Sequence, residues 1–425
     1  MQFAPIPEND FAEFIRIYYH ECRGRFPAIE AIGGKWMFRD LLPGMSDFDT
    51  RFICRDGMTA DDWCAMSAAV GDAHLRMCRE YACWIRNLEH LPGINLTWSE
   101  LTAEPLYYPE CRQWTFYETE CPEALHRALT ALRARRWDVK DEYFFLKKFC
   151  LYYGRYDRQI DPPINMFPHE ARYPMHSRVM HYFVPPLQSA MCLLERRHVA
   201  GKFEALERAE GRFPGLACWE IIRELLHAHY EAPRWYEEPR LSQFEDMLEE
   251  ALREMARALR EVVTIIPAEA GVDIPQWKAA LKAFPIDPAF YVFDNMRFSR
   301  LMKGRLEFYA DAPDYFDSAW LIANELKRIG NAFFTQPFRV FWKLYAGEEV
   351  AEPLDILEKL RGDVLSAEEI ADTREFARLA FLPWVPGEER RRAREIAAVY
   401  DGFYHALHKI SAVLMREPAC SPGGT

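Results

Sequence analysis

Asp47 and Asp49 flank Phe48 and follow Gly33-Gly34 across twelve intervening residues. In an extended segment alternate side chains share a side, so both carboxylates can lean toward one divalent ion. Such hard oxygen donors suit magnesium or manganese. A Gly-Gly turn nearby lets backbone N–H groups approach phosphate oxygens that bulkier residues would obstruct. This chemistry is that of a metal-bound nucleoside triphosphate.

The elements around this segment must hold it in place. Asp10 can cap a helix running to about Arg23, because Phe11, Phe14, Ile15, Tyr18 and Tyr19 recur at helical spacing. Residues 28–37 read as a strand broken by Gly33 and Gly34, and residues 50–54 as a second strand closed by Asp56-Gly57. Thr59, with Asp61 and Asp62 behind it, opens a long helix to about Leu88. Residues 94–98 and 112–118 carry the β-branched and aromatic content of two further strands. Past about Pro122 the pattern is helical almost throughout, with Ser242/Glu245 and Ser366/Glu369 as capping boxes. The expected class is α+β: an N-terminal mixed sheet with flanking helices at residues 1–121, then a large all-α portion. Proline-rich stretches at 161–174 and 267–275 divide that portion into a middle domain at 122–266 and a C-terminal domain at 267–415. Residues 416–425 read as a disordered tail.

Bulk properties narrow the partners. The 425-residue chain carries a formal charge of −12, which argues against a general nucleic-acid binder, since phosphate neutralisation needs a dominant basic face. Eleven cysteines, odd in number and without a C-x-x-C pair, read as reduced thiols of a cytoplasmic protein. No leader-like start and no run of roughly 20 apolar residues is found, so no membrane association is expected.

Ile32-Gly33-Gly34, twelve residues, then Asp47-Phe48-Asp49 resembles the signature of the polymerase-β-like nucleotidyltransferase superfamily. The likeness covers about the first 120 residues. It implies a nucleotidyltransferase-like sheet and transfer of a nucleoside monophosphate from an NTP such as ATP to a hydroxyl. Asp47 and Asp49 would be catalytic and hold magnesium, with Gly33, Gly34, Lys35, Arg39 and Ser46 (from Gly44-Met45-Ser46) against the triphosphate. The family's third acid is commonly found on a strand after the long helix, where this chain has Asn95. An amide cannot serve as a general base. Glu118 is the preferred substitute, with Glu100 as the alternative.

Other constellations point elsewhere. His227 and His229 lie two apart on a helical pattern and so face different ways. The arginine- and aromatic-rich stretch at 153–181 suits either a base-covering loop or interdomain packing. The sequence at 388–395 mixes signs as a solvated helix face does. No Walker lysine loop, Rossmann glycine triplet, G-x-S-x-G or H-E-x-x-H motif is present. The functional expectation is a magnesium-dependent nucleotidyltransferase with an unidentified acceptor, a small molecule being favoured. Two alternatives stand beside it: an inactive nucleotide-binding or scaffold protein on the same fold, and a signalling or toxin transferase acting on a macromolecule.

Overall fold

A computed structural model of the chain describes residues 8–41, 48–81, 88, 90–103, 109–153, 183–223, 241–285, 287–312, 318–383 and 385–415. The side chains at 8–10, 39, 241–245, 318–320, 324, 327 and 328 lie outside that description.

The N-terminal part runs α1 (Glu8–Arg25), β1 (Ile29–Gly34), β2 (Thr50–Cys54), α2 (Ala60–Glu80), β3 (Leu96–Thr97), α3 (Trp98–Thr102) and β4 (Thr115–Thr119). The four strands form one mixed sheet in the order β3-β2-β1-β4, with β1 antiparallel to both neighbours and β3 parallel to β2. The class is α+β. Alternation along β2 sends Phe52 and Cys54 into the core under α1 and α2 and sends Ile53 to the opposite face, against Trp98 and Leu101 of α3. Helix α2 starts where Thr59 and Asp62 cap each other reciprocally, and it ends at Glu80 rather than near Leu88. The strand expected at 94–98 keeps only Leu96–Thr97, because Thr97 caps α3 and turns the chain into helix.

The remaining helices are α4 (Pro122–Ala134), α5 (Val139–Tyr152), α6 (Val184–Glu195), α7 (Lys202–Arg212), α8 (Leu241–Arg260), α9 (Ile274–Ala283), α10 (Ala289–Ser299), α11 (Met302–Asp311), α12 (Ser318–Ile329), α13 (Gln336–Ala346), α14 (Pro353–Lys359), α15 (Ala367–Phe381) and α16 (Glu389–Met415). The Ser366/Glu369 box caps α15, whereas the side chains of Ser242 and Glu245 are outside the described set.

The cores are distributed differently from the expected three-domain division. Helix α4 packs with Ala128 and Leu132 on the second face of the sheet, so residue 121 is not a boundary between cores. One helical core unites α5 to α9 and includes Trp277 and Leu281, beyond the boundary expected at 266. Among the described residues, helices α10 to α16 have no separate core; they share one with α1, α2 and the sheet. Small residues on α2 explain the close approach. A Cβ placed on Gly71 would lie 3.0 Å from Gly304 Cα of α11, and Gly304 N–H donates to Ser67 Oγ at 2.9 Å. Among the described residues, no helix is long and apolar enough to cross a membrane.

Candidate functional site

The end of β1 and the start of β2 set Lys35, Asp49 and Arg51 side by side. Lys35 N–H donates to the Asp49 carbonyl at 3.3 Å. Arg51 Nη1 donates to Asp49 Oδ1 at 2.9 Å and to the Thr50 carbonyl at 2.7 Å. Residues 49, 51 and 53 share one face of the sheet, the one away from α1.

Glu110 joins them from the turn at Pro109–Gln113. Its carboxylate lies 3.9 Å from Arg51 Nη2 and 3.9 Å from Lys148 Nζ of α5. Arg51 also sits over Trp114, 5.9 Å from the ring centroid. The ammonium groups of Lys35 and Lys202 both lie over Trp36, at 4.8 and 4.7 Å, and Lys202 opens α7. Among the described residues, the buried Nζ of Lys148 has no hydrogen-bond partner.

Three cationic side chains, Lys35, Arg51 and Lys148, therefore gather around the carboxylates of Asp49 and Glu110. Burial alone would raise Asp49, yet Arg51 and Lys35 hold it well below the usual carboxylate range. Glu110 shows the same balance, lowered by Lys35, Lys148 and Arg51 against its burial. Burial works against the charge on Lys35, but Glu110 and Asp49 raise it above the ordinary lysine value. Lys148 is the loser in this arrangement: burial first, then the adjacent Lys35 charge, bring it down to about 7.

The other expected site residues are placed as follows. Asp47 and Ser46 lie outside the described residues, as does the Arg39 side chain. Its neighbour Asp40 is structural: the carboxylate accepts from the N–H groups of Lys202 and Phe203, each at 3.0 Å, and from Met37 N–H at 3.0 Å. It thereby caps α7 from a distance in sequence. Gly33 and Gly34 are not a turn; both are extended ladder residues of β1, paired to β2 and β4. What they make room for is β4. A Cβ on Gly34 would sit 2.7 Å from Tyr117 Cε2, whose ring stacks on Phe38 at 4.6 Å and whose hydroxyl donates to the Trp36 carbonyl.

Glu118 is not brought to Asp49. A bulge between Ile32 and Gly33 pairs Phe116 with Gly33 and Glu118 with Ile32. Phe116 thus joins the far-face core, while Glu118 shares the α1 face with Ile32, where Arg16 and Tyr19 feel its charge. Glu100 is also committed elsewhere. Its oxygens accept from Arg300 at 2.6 and 2.7 Å and from Thr97 N–H at 2.9 Å. Arg300 is itself stacked 3.9 Å from the Trp63 ring centroid.

Asn95 is a fully buried fastener. Its Oδ1 accepts from Phe52 N–H at 2.9 Å, and its Nδ2 donates to the carbonyls of Pro92 and Gly93 at 3.1 and 2.7 Å. An aspartate could not make the last two bonds. The acid that does approach Asp49 through shared cations is Glu110, which sequence reasoning missed. The one available signal was an acid next to a proline shortly before an aromatic strand, a pattern with no chemical specificity.

Asp49 Oδ1 is engaged by Arg51, which leaves Oδ2 as the oxygen for an ion, and the surrounding lysines suit phosphate. Among the described residues, no group of three or more His, Cys, Asp or Glu side chains is arranged to hold a metal. No family model matches the chain, and neither curated proteins nor solved structures give a match.

Proposed function

We propose that the chain is a magnesium-dependent nucleotidyltransferase that moves a nucleoside monophosphate from an NTP to a hydroxyl acceptor. The supporting observation is the cluster of Lys35, Arg51 and Lys148 around Asp49 and Glu110. Its positive excess is partly buried, and among the described residues Lys148 Nζ has no hydrogen-bond partner. Buried cations without full compensation favour a polyanion.

Lys35 and Lys148 would bind phosphate oxygens, and Arg51 would hold Asp49 ionised and oriented. Asp47 and Asp49 would hold magnesium, which when bound supplies charge neutralisation at the phosphates. The acceptor hydroxyl would lose its proton to solvent water as its oxygen bonds to the α-phosphorus and the bond to pyrophosphate breaks. The departing negative charge falls among the lysines.

Incubation with each α-labelled NTP, Mg²⁺ or Mn²⁺ and cell extract tests this. Label transfer that is lost in Asp47→Ala/Asp49→Ala supports the reading, and absence of any aspartate-dependent transfer across all four nucleotides refutes it. The positions of Asn95, Glu100 and Glu118 favour a second reading, a nucleotide-binding protein without turnover. It requires NTP binding with no pyrophosphate release. Label running with protein or with an oligonucleotide would instead identify a macromolecular acceptor.

A further inference from the structure

The start of α7 is capped from far away in the chain. Gly201 precedes the helix with φ +86° and has no side chain to accept from its first N–H groups. Asp40, 162 residues before Lys202 and fully buried, does so instead, and its two carboxylate oxygens have separate partners. Oδ1 accepts from Lys202 and Phe203 N–H, each at 3.0 Å, while Oδ2 accepts from Met37 N–H at 3.0 Å. The approach also requires glycine at the cap, since a Cβ on Gly201 would lie 2.6 Å from Asp40 Oδ2. A cap serving α7 alone would need only Oδ1. Oδ2 ties the helix to the strap at residues 35–40 that continues from β1.

That strap carries Lys35 and Trp36. With α7 starting at Asp40, the Lys202 ammonium lies 4.7 Å from the Trp36 ring centroid, and Lys35 reaches the same ring at 4.8 Å. The Trp36 carbonyl accepts from the Tyr117 hydroxyl of β4. Trp36 is thus buried, held at its backbone by the sheet and at its ring by α7, and Lys35 lies against it within reach of the Asp49 and Glu110 charges.

We propose that Asp40 clamps the strap to α7 and thereby positions Lys35 for phosphate, which makes Asp40 a positioning residue of the transferase. This rests on the reading above in taking Lys35 to meet the triphosphate. A buried carboxylate shared by two segments fixes them relative to each other, and a cation fixed in advance binds a polyanion without first having to order a long side chain.

Isothermal titration of the full chain with inorganic triphosphate tests the clamp in two variants. Asp40→Asn leaves one oxygen, which can accept from α7 or from Met37 but not from both. Met37→Pro removes only the strap's donor: its φ of −73° already suits proline, and the charge and the α7 bonds stay in place. Each should weaken triphosphate binding by about tenfold, and by less than about twofold in a Lys35→Met background. Circular dichroism establishes that the variants are folded, and Met37→Pro decides alone should Asp40→Asn not fold. The clamp is overturned if either folded variant binds as tightly as wild type, or if the losses are equal with and without Lys35. In that case wild-type binding leaves the transferase reading standing. No binding by wild type overturns the clamp and the phosphate reading of the cluster together. The expected losses without any aspartate-dependent label transfer would sink the transferase and leave the clamp in place.

Discussion

Replacing Lys148 with methionine should make the ligand-free protein more stable at neutral pH. Lys148 sits at about 7 in the folded chain, against the usual lysine value of 10.5. At about 1.4 kcal/mol per tenfold change in proton affinity, that drop corresponds to a penalty of about 5 kcal/mol for keeping the amine charged. The folded state binds this proton less tightly than the unfolded one. The penalty is therefore absent above about pH 10.5, grows as pH falls toward 7, and is complete below 7. Methionine keeps the length of the side chain and removes the charge, but Glu110 loses a partner at 3.9 Å. That attraction is already contained in the lowered Lys148 value, and Arg51 and Lys35 still face Glu110. The expectation is a gain of up to about 5 kcal/mol at pH 6–7, shrinking toward zero near pH 10. Urea unfolding across that range measures it. A variant less stable than wild type at pH 6–7, or a difference that does not vary with pH, would refute the electrostatic account of the cluster. Inorganic triphosphate should reverse the order, stabilising wild type more than the variant, since ligand bound only to the folded state adds about 2.7 kcal/mol at a hundred times its Kd.

Asn95→Asp, which would place an acid where the sequence resemblance leads one to expect it, should instead cost about 2–3 kcal/mol. It places a carboxylate oxygen against the Pro92 and Gly93 carbonyls, and equilibrium denaturation would show the loss. Gly34→Ala should cost about 1–3 kcal/mol by pushing Tyr117 off its seat on Phe38, and the combination with Tyr117→Ala should fall short of additive in a double-mutant cycle.

The local rules carried far into this structure, and what they missed is physical. Residues 50–54, the helix start at Thr59 and the box at Ser366 depend on near neighbours, so alternation and capping chemistry found them. Glu118 went to the wrong side because one extra residue in β4 shifts the pairing, and a bulge leaves no mark in the hydrophobic alternation. Glu110 was overlooked for a different reason. Its place beside Arg51 and Lys148 is set by how a short helical turn meets α5, not by spacing along the chain. The Gly-Gly pair was conspicuous, but two explanations for small residues compete at any glycine, and the one realised here is the passage of Tyr117. Nothing in the periodicity of α10 to α16 said which apolar surface they would cover.

That last point bears on synthesis. The core under α1 and α2 draws its residues from 11–91 and again from 292–410, so roughly 200 residues separate its two halves. A chain emerging from the ribosome would hold Phe11, Trp63 and Met66 ready for partners that do not yet exist. Closing so long a loop before its contacts are gained slows folding, and exposed apolar surface in the interval invites aggregation. A fragment ending near residue 121 would keep the Asp47 and Asp49 segment while lacking half the core that supports it. The helices from 289 onward thus complete the core beneath the sheet that carries the candidate site.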